Sequence, residues 1–435
     1  MTLRKSSGVL PAVLAWAALA AERPNVVLII SDDHGWTDYG FMGHPAVKTP
    51  YIDRLAAGSL TFTRGYVPTS LCRPSLASIM TGLWPHQHRI TGNDPPGNAR
   101  DPANRTAMVN VFRESRSLAG LMQASGYVSH QSGKWWEGDC VCCGFTVCMT
   151  HGDVSKGGRH GDDGLRIGRQ TMQPIFDFID KAEGKPFFLW YAPFLPHTPH
   201  NPPERLLKQF TTPGRAVAVA KYYAMIAWLD ETVGQLLDYL DRKGLAQNTV
   251  VAYLADNGWV QLEGQQPLFD TRAKLSPYDA GVRTPILVRY PARIKPKRDE
   301  ETLASSIDLA PTILAAAGLK VDPGMPGINL MDVGKLARRK AVYGSIFVHT
   351  SLDIRNPVAN LKYRWMVRGR YKIISPHQPM LKAPIWEGQP ATHWGIEDEV
   401  YDVLADSGER KNLARERADL VQSLRQDLDR WWKLD

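Results

Sequence analysis

Several short apolar runs in this chain stop abruptly at polar or turn-forming residues, and that pattern restricts the fold more than any other feature. Residues 25–30 lead straight into Ser31-Asp32-Asp33-His34-Gly35. Residues 127–131 lead to Gly133-Lys134, and residues 187–191 to Pro193 and then Pro196-His197-Thr198-Pro199-His200. Residues 249–254 lead to Asp256-Asn257-Gly258. Continuous rather than alternating apolar character is what strands need when helices cover both faces. Helical periodicity lies between the runs. Met225, Ile226, Leu229, Val233, Leu236, Leu237 and Leu240 recur at helical spacing within residues 222–243, and Gly244 supplies the stop. Residues 307–317 form a shorter helix closed by Gly318. Strands alternating with helices predict an α/β fold, a large mainly parallel or mixed sheet sandwiched by helices.

The pattern changes after about Gly327. Residues 364–367, 371–374 and 400–402 read as short strands of a smaller sheet, and residues 413–434 as a closing amphipathic helix carrying Leu420, Leu424 and Leu428. A small C-terminal α+β subdomain over 341–435 therefore follows a catalytic domain over 21–340. The first 20 residues have the marks of a secretory signal peptide: Arg4 and Lys5, an apolar stretch over 9–20 too short to span a membrane, and Ala18-Leu19-Ala20 as a small-x-small cleavage site. The chain is thus expected to be exported, periplasmic or secreted, with no stable membrane span. The formal net charge of +8 suits anionic substrates, but the basic residues are scattered and no nucleic-acid motif is present.

Of the five cysteines, Cys140, Cys142, Cys143 and Cys148 crowd together and Cys72 stands alone. In an oxidising compartment the four read as two disulfides of undetermined connectivity. A thiolate metal site is the alternative, although the spacing lacks the paired Cys-x2-Cys of zinc sites.

In open α/β sheets ligands bind beyond the carboxyl ends of the strands. Asp32 and Asp33 follow one strand, and Asp256 and Asn257 follow another. Their convergence would give three carboxylates and an amide oxygen, a hard donor set that prefers calcium or magnesium. Cys72 lies in Ser70-Leu71-Cys72-Arg73-Pro74-Ser75-Leu76, ahead of Thr81-Gly82. Pro74 fits the first turn of a short helix, which puts Cys72 at a helix N-terminus, where free N–H groups favour an anion.

These motifs, in this order, resemble the sulfatase family of the alkaline-phosphatase-like superfamily. The resemblance runs from about Pro24 to the C-terminus. It includes Gly133-Lys134-Trp135, Lys274 through Gly281-Val282-Arg283-Thr284-Pro285, Asp308-Leu309-Ala310-Pro311-Thr312, Tyr401-Asp402 and the tail from Glu409 to Leu413. It implies that a maturation enzyme oxidises Cys72 to formylglycine, whose hydrated aldehyde is the nucleophile toward an aryl or carbohydrate sulfate ester. It implies Asp32, Asp33, Asp256, Asn257 and modified Cys72 as calcium ligands. Lys134 and Lys274 would neutralise sulfate oxygens, and His197 would hold or protonate the leaving oxygen. His86, His88, His349, His377 and His393 read as ordinary loop or surface residues.

The chain departs from the family pattern at two positions. The activation signal reads Cys-x-Pro-x-Arg, but Leu76 occupies its fifth position; Arg73 is nearby at a different place in the motif. Trp136 stands where the family commonly has a histidine, and His151 and His160 are candidates to fill that space as substrate-binding residues. The departures leave two other readings open: a related phosphodiesterase or phosphonate monoester hydrolase, and a degenerate binder of sulfated glycans without turnover.

Overall fold

The computed structural model describes residues 23–152, 162–385 and 394–434. The proposed signal segment, His160 and His393 lie outside the described residues. Two sheets organise the chain. The larger contains β1 (Asn25–Ser31), β2 (Leu60–Tyr66), β3 (Val128–Gly133), β4 (Val147–Cys148), β5 (Phe187–Ala192), β6 (Thr249–Ala255), β7 (Arg283–Arg289), β8 (Lys297–Asp299) and β9 (Ala304–Ser305). Its order is β4-β3-β5-β1-β6-β7-β2-β8, with β9 also paired to β2. From β4 through β6 neighbours are parallel, and β7 runs antiparallel to both β6 and β2. This is the expected mainly parallel sheet.

Burial explains the continuous apolar strands. Val26, Leu28, Ile30, Phe188, Trp190 and Leu254 face helices Cys72–Thr81, Pro102–Arg113, Leu118–Ala124 and Leu309–Ala316. Val27, Ile29, Leu189, Tyr191 and Tyr253 face the other way, onto helices Gln173–Lys181 and Val217–Arg242. Alternate residues thus serve two cores, so neither face can be polar. The long helix starts at Val217, five residues before the periodic stripe begins, and its first turns carry Ala220 and Ala224, which pack against Leu206 and Phe210 of the preceding helix.

The smaller sheet is antiparallel, β10 (Ala341–Phe347), β11 (Leu361–Arg368), β12 (Tyr371–Pro376) and β13 (Glu399–Asp402). Met366, Ile373 and Val400 on one face bury Leu420, Leu424 and Leu428 of helix Ala418–Trp431. Trp365, Val367 and Ile374 on the other join the core of the large sheet. A buried ionic cluster crosses the same boundary. Lys372 on β12 lies 2.8 Å from Asp279 and 3.0 Å from Glu409, and Arg283 is 3.5 Å from Asp279.

The cysteine expectation needs correction. Cys140 pairs with Cys148, whereas Cys142 and Cys143 are free, so one disulfide forms rather than two. Cys142 and Cys143 are adjacent in a tight 3-10 turn, one exposed and the other buried with its thiol toward the Glu137 carbonyl, so they point apart. Among the described residues no helix is long and apolar enough to cross a membrane.

Two outcomes follow from this packing. Lys372→Met should destabilise the protein by about 3–5 kcal/mol, because Asp279 and Glu409 are left buried without their cation; urea denaturation measures it. Alkylation of the native, unreduced protein should label Cys142 first and leave Cys143 unmodified until unfolding, as peptide mass mapping would show.

Candidate active site

The carboxyl ends of β1, β3 and β6 converge on one buried cluster, and tight backbone turns make the convergence sterically feasible. Asp32 follows β1 and donates its N–H to the Leu195 carbonyl at 2.9 Å. Asp33 adopts a left-handed conformation, φ 57°, and its N–H donates to Asp256 Oδ1 at 3.1 Å. Gly133 closes β3 at φ 84°, where a Cβ would lie 1.9 Å from the Ala192 carbonyl oxygen; only glycine lets the chain turn Lys134 inward there. The loop bearing Lys274 is pinned to the Cys72 loop by two hydrogen bonds, Leu275 N–H to the Ser70 carbonyl at 2.9 Å and Ser70 Oγ to the Ser276 carbonyl at 2.7 Å.

Lys134 Nζ donates to both oxygens of Asp32 at 2.7 Å. Lys274 Nζ donates to both oxygens of Asp33, at 2.6 and 2.8 Å. Asn257 Nδ2 donates to Asp33 Oδ1 at 2.7 Å. His197 Nε2 is 3.4 Å from Asp33 Oδ2, while its Nδ1–H donates to the Thr198 carbonyl at 2.7 Å. Cys72 opens helix Cys72–Thr81, with Sγ 4.0 Å from Asp32 Oδ1. The sequence-based set Asp32, Asp33, Cys72, Lys134, His197, Asp256, Asn257 and Lys274 is therefore gathered in one place.

Burial dominates the electrostatics of this cluster. It pushes the Cys72 thiol up to about 12, so an unmodified thiol stays protonated and is a weak nucleophile. Burial likewise raises the Asp256 carboxyl well above the carboxylate range, with Asp32 adding to the effect. Asp33 goes the other way: burial would raise it, but the Lys274 and Lys134 ammonium groups outweigh that and hold it low. Burial lowers His197 to about 4, leaving a neutral imidazole.

A hard cation fits this donor set. Asp256 Oδ2 and Asn257 Oδ1 are buried and accept no hydrogen bond among the described residues. Ligand atoms of Asp32, Asp33, Cys72 and His197 all lie within 4.8 Å of one another. Two buried oxygens without a donor beside two carboxylates are what an oxygen-coordinated divalent ion satisfies.

The two departures from the family pattern sit together. Leu76 and Trp136 line one small cavity with Met80, Phe112 and Trp135, so apolar packing occupies that region. Arg73 does not replace the missing arginine. Its guanidinium is fully buried and bidentate on Glu137, at 2.8 and 2.6 Å, and its backbone N–H donates to Asn93 Oδ1 at 3.0 Å. His151 is exposed and lines a recess with Arg105 and Arg113, outside the Cys72 cluster.

Sequence reading missed the aromatic walls. Lys134 lies 5.4 Å from the Phe194 ring and 5.9 Å from Trp136, and Lys274 lies 5.9 Å from Trp259. Each ring follows or precedes a polar motif by a few residues, which is the signal that could have found it. Arg169 was also missed; it donates to the carbonyls of Phe194 at 2.6 Å and His197 at 2.7 Å and so holds the His197 loop. The buried histidines correct another expectation: His88 bonds Ser78 Oγ at 2.9 Å, and His349 lies 3.3 Å from Asn93 Nδ2, so neither is an ordinary loop residue.

Comparison with known proteins agrees with this geometry. The profile of the family described as Sulfatase matches residues 24–319, and that of "N-sulphoglucosamine sulphohydrolase, C-terminal" matches residues 264–433. The chain is 28% identical to arylsulfatase A of Homo sapiens over 474 residues, covering 95% of this chain and 88% of the relative. It is 28% identical to human N-acetylgalactosamine-6-sulfatase over 370 residues, covering 75% and 69% respectively. Among solved structures it resembles Ps i-CgsB in complex with k-i-k-neocarrahexaose, with a TM-score of 0.73 and 22% identity, covering 94% of this chain and 93% of the other.

The Arg73–Glu137 pair gives a test of the site's scaffold. Arg73→Met should cost about 3–5 kcal/mol of stability by leaving Glu137 buried and unpaired. Thermal and urea unfolding would show it, and Glu137→Gln in the same background should recover part of the loss.

Proposed function

This chain belongs to the sulfatase family, a family of sulfuric ester hydrolases, and from that premise we propose that it is an exported, calcium-dependent enzyme acting on carbohydrate or aryl sulfates through a formylglycine made from Cys72. The observation that carries the reading is the buried pairing of Lys134 with Asp32 and Lys274 with Asp33, beside two oxygens without a hydrogen-bond donor. Three carboxylates and two lysines leave the cluster short of positive charge for an anionic substrate. A divalent cation reverses that sign and makes the pocket attractive to a sulfate ester.

Asp32, Asp33, Asp256 and Asn257 would hold the cation, with residue 72 completing the shell. Bound calcium supplies Lewis-acid polarisation of the sulfate oxygens. The chain's own residues do the rest. Lys134 and Lys274, whose Nζ groups lie at Asp32 and Asp33, would offer N–H groups to sulfate oxygens as charge develops. His197, neutral with its Nδ1–H on the Thr198 carbonyl, presents Nε2 toward the site as a proton acceptor; only after Nε2 has taken up a proton, an imidazolium that Asp33 beside it would stabilise, would it protonate the leaving oxygen. Phe194, Trp136 and Trp259 keep water away from the lysines and so strengthen these interactions.

The decisive experiment expresses the chain in a host that matures sulfatases. Mass spectrometry of the Cys72 peptide is combined with ion chromatography of sulfate released from a panel of aryl and glycan sulfates. The expected result is a formylglycine peptide and sulfate release that Cys72→Ala abolishes. An unmodified thiol throughout, with no sulfate released from any member of the panel, would sink the proposal; preferential cleavage of phosphate diesters would replace it with the phosphoryl-transfer reading. Separately, Asp256→Ala should lose calcium and turnover together, by elemental analysis and activity. Calcium retained at wild-type stoichiometry would remove Asp256 from the ligand set.

A further inference from the structure

A recess of about 270 Å³ opens next to the cluster, and the mechanism above does not use it. One wall is a single face of helix Pro102–Arg113: Pro102, Arg105, Thr106, Val109 and Arg113 recur at helical spacing. The other wall is Gly138, Asp139, His151 and Gly152. Two glycines with positive φ let these loops approach. A Cβ on Gly152 would lie 2.5 Å from the Gly138 backbone, and one on Gly138 would lie 3.3 Å from Val109 and 3.5 Å from Arg113. The recess is therefore built by close backbone contact.

Its position is set by Trp136. The Arg105 guanidinium lies 5.5 Å from the Trp136 ring, and Lys134 Nζ lies 5.9 Å from it. One indole thus separates a buried cation of the recess from a cation of the cluster. Arg105 is held in place: it is buried, and its Nη1 lies 3.5 Å from Asp94 Oδ1, while Asp94 also lies 3.8 Å from His349. Arg113 is exposed at the mouth. The acidic residue in the lining, Asp139, accepts the Val141 N–H at 3.0 Å and caps the turn that follows. Two guanidiniums and an imidazole line a cavity the size of a substituted sugar ring; Asp139 caps a turn, Asp94 pairs with Arg105 from behind, and Arg113 stands exposed at the mouth.

We infer that this recess is a substrate subsite for a second anionic group, a sulfate or carboxylate carried by the same glycan on the scissile or the adjoining sugar. The inference rests on the sulfatase reading above and names its substrate class: glycan sulfates with more than one negative charge. Arg113 and Arg105 supply charge-assisted hydrogen bonds to that group. Trp136, itself buried, forms the partition between the two anion positions.

The test measures kcat and KM on matched pairs of glycan sulfates that differ only in a second sulfate or carboxylate. Each pair is assayed with wild type, Arg113→Ala, Arg105→Met and Arg105→Lys. Wild type should prefer the doubly charged member of at least one pair by about tenfold in kcat/KM, the worth of one charge-assisted hydrogen bond. Arg113→Ala should cut that preference severalfold through KM, with kcat for the doubly charged substrate held. Arg105→Met should do the same, and Arg105→Lys should recover part of it. Arg105 is buried, so thermal unfolding identifies a variant that fails to fold; the exposed Arg113→Ala then decides alone. An unchanged preference in Arg113→Ala, or an equal loss on both members of every pair, overturns the inference while the sulfatase reading stands. No sulfate released by wild type from any substrate overturns that reading and this inference with it.

Discussion

Everything in the site depends on holding three carboxylates together away from water. Two carboxylates at about 4 Å repel by about 4 kcal/mol at the effective dielectric near a protein surface, and more when buried. The chain answers with two buried lysines, each bidentate on one carboxylate, Lys134 on Asp32 and Lys274 on Asp33. Asp256 has no such partner; Lys134 passes it at 3.8 Å, and its Oδ2 accepts no hydrogen bond among the described residues. The balance is thus deliberately incomplete, and the deficit lies where a cation would sit. The same lysines are the groups an anionic substrate would meet, so metal, lysine and substrate charge form one coupled account.

The fold supplies the rigidity this arrangement needs. β1 and β6 are apolar and buried on both faces, so their registers cannot slip without moving apolar residues into the wrong core, and the polar strand β3 is held beside them by its ladder to β5 and by side-chain hydrogen bonds of Ser129, Gln131 and Ser132. Residues just past their ends inherit that fixed position. Loops contribute what strands cannot. The Lys274 segment is tied to the Cys72 loop through Ser70, and Arg169 ties the His197 loop to its base.

Much of this was legible in sequence because burial on both faces leaves a continuous apolar imprint. β1, β5 and β6 carry it plainly. β2, with Thr61, Thr63 and Arg64, and β8, with Lys297, Arg298 and Asp299, do not, since they lie toward the sheet edge where the code is weaker. The polar residues past the strand ends could be found by position alone, but their mutual pairing could not. Cys142 and Cys143 misled because spacing says which thiols are near, not which way they point. Trp136 was visible as an anomaly in a motif. Its second role, as the wall shared by the cluster and the Arg105 recess, comes from loop conformation that no local periodicity encodes.

The ionic cluster beneath the site also bears on how the protein comes into being. Asp279 lies a few residues past Lys274; its carboxylate pairs with Lys372 on β12, its backbone N–H donates to the Glu409 carboxylate, and Lys372 pairs with Glu409 as well. A chain emerging from the ribosome exposes Cys72 and most of the large sheet long before either arrives. During synthesis the Cys72 segment is therefore present in a protein whose pocket is still unfinished. The tail acts as a late fastening, closing the ionic cluster only after the strands that carry the site have been made.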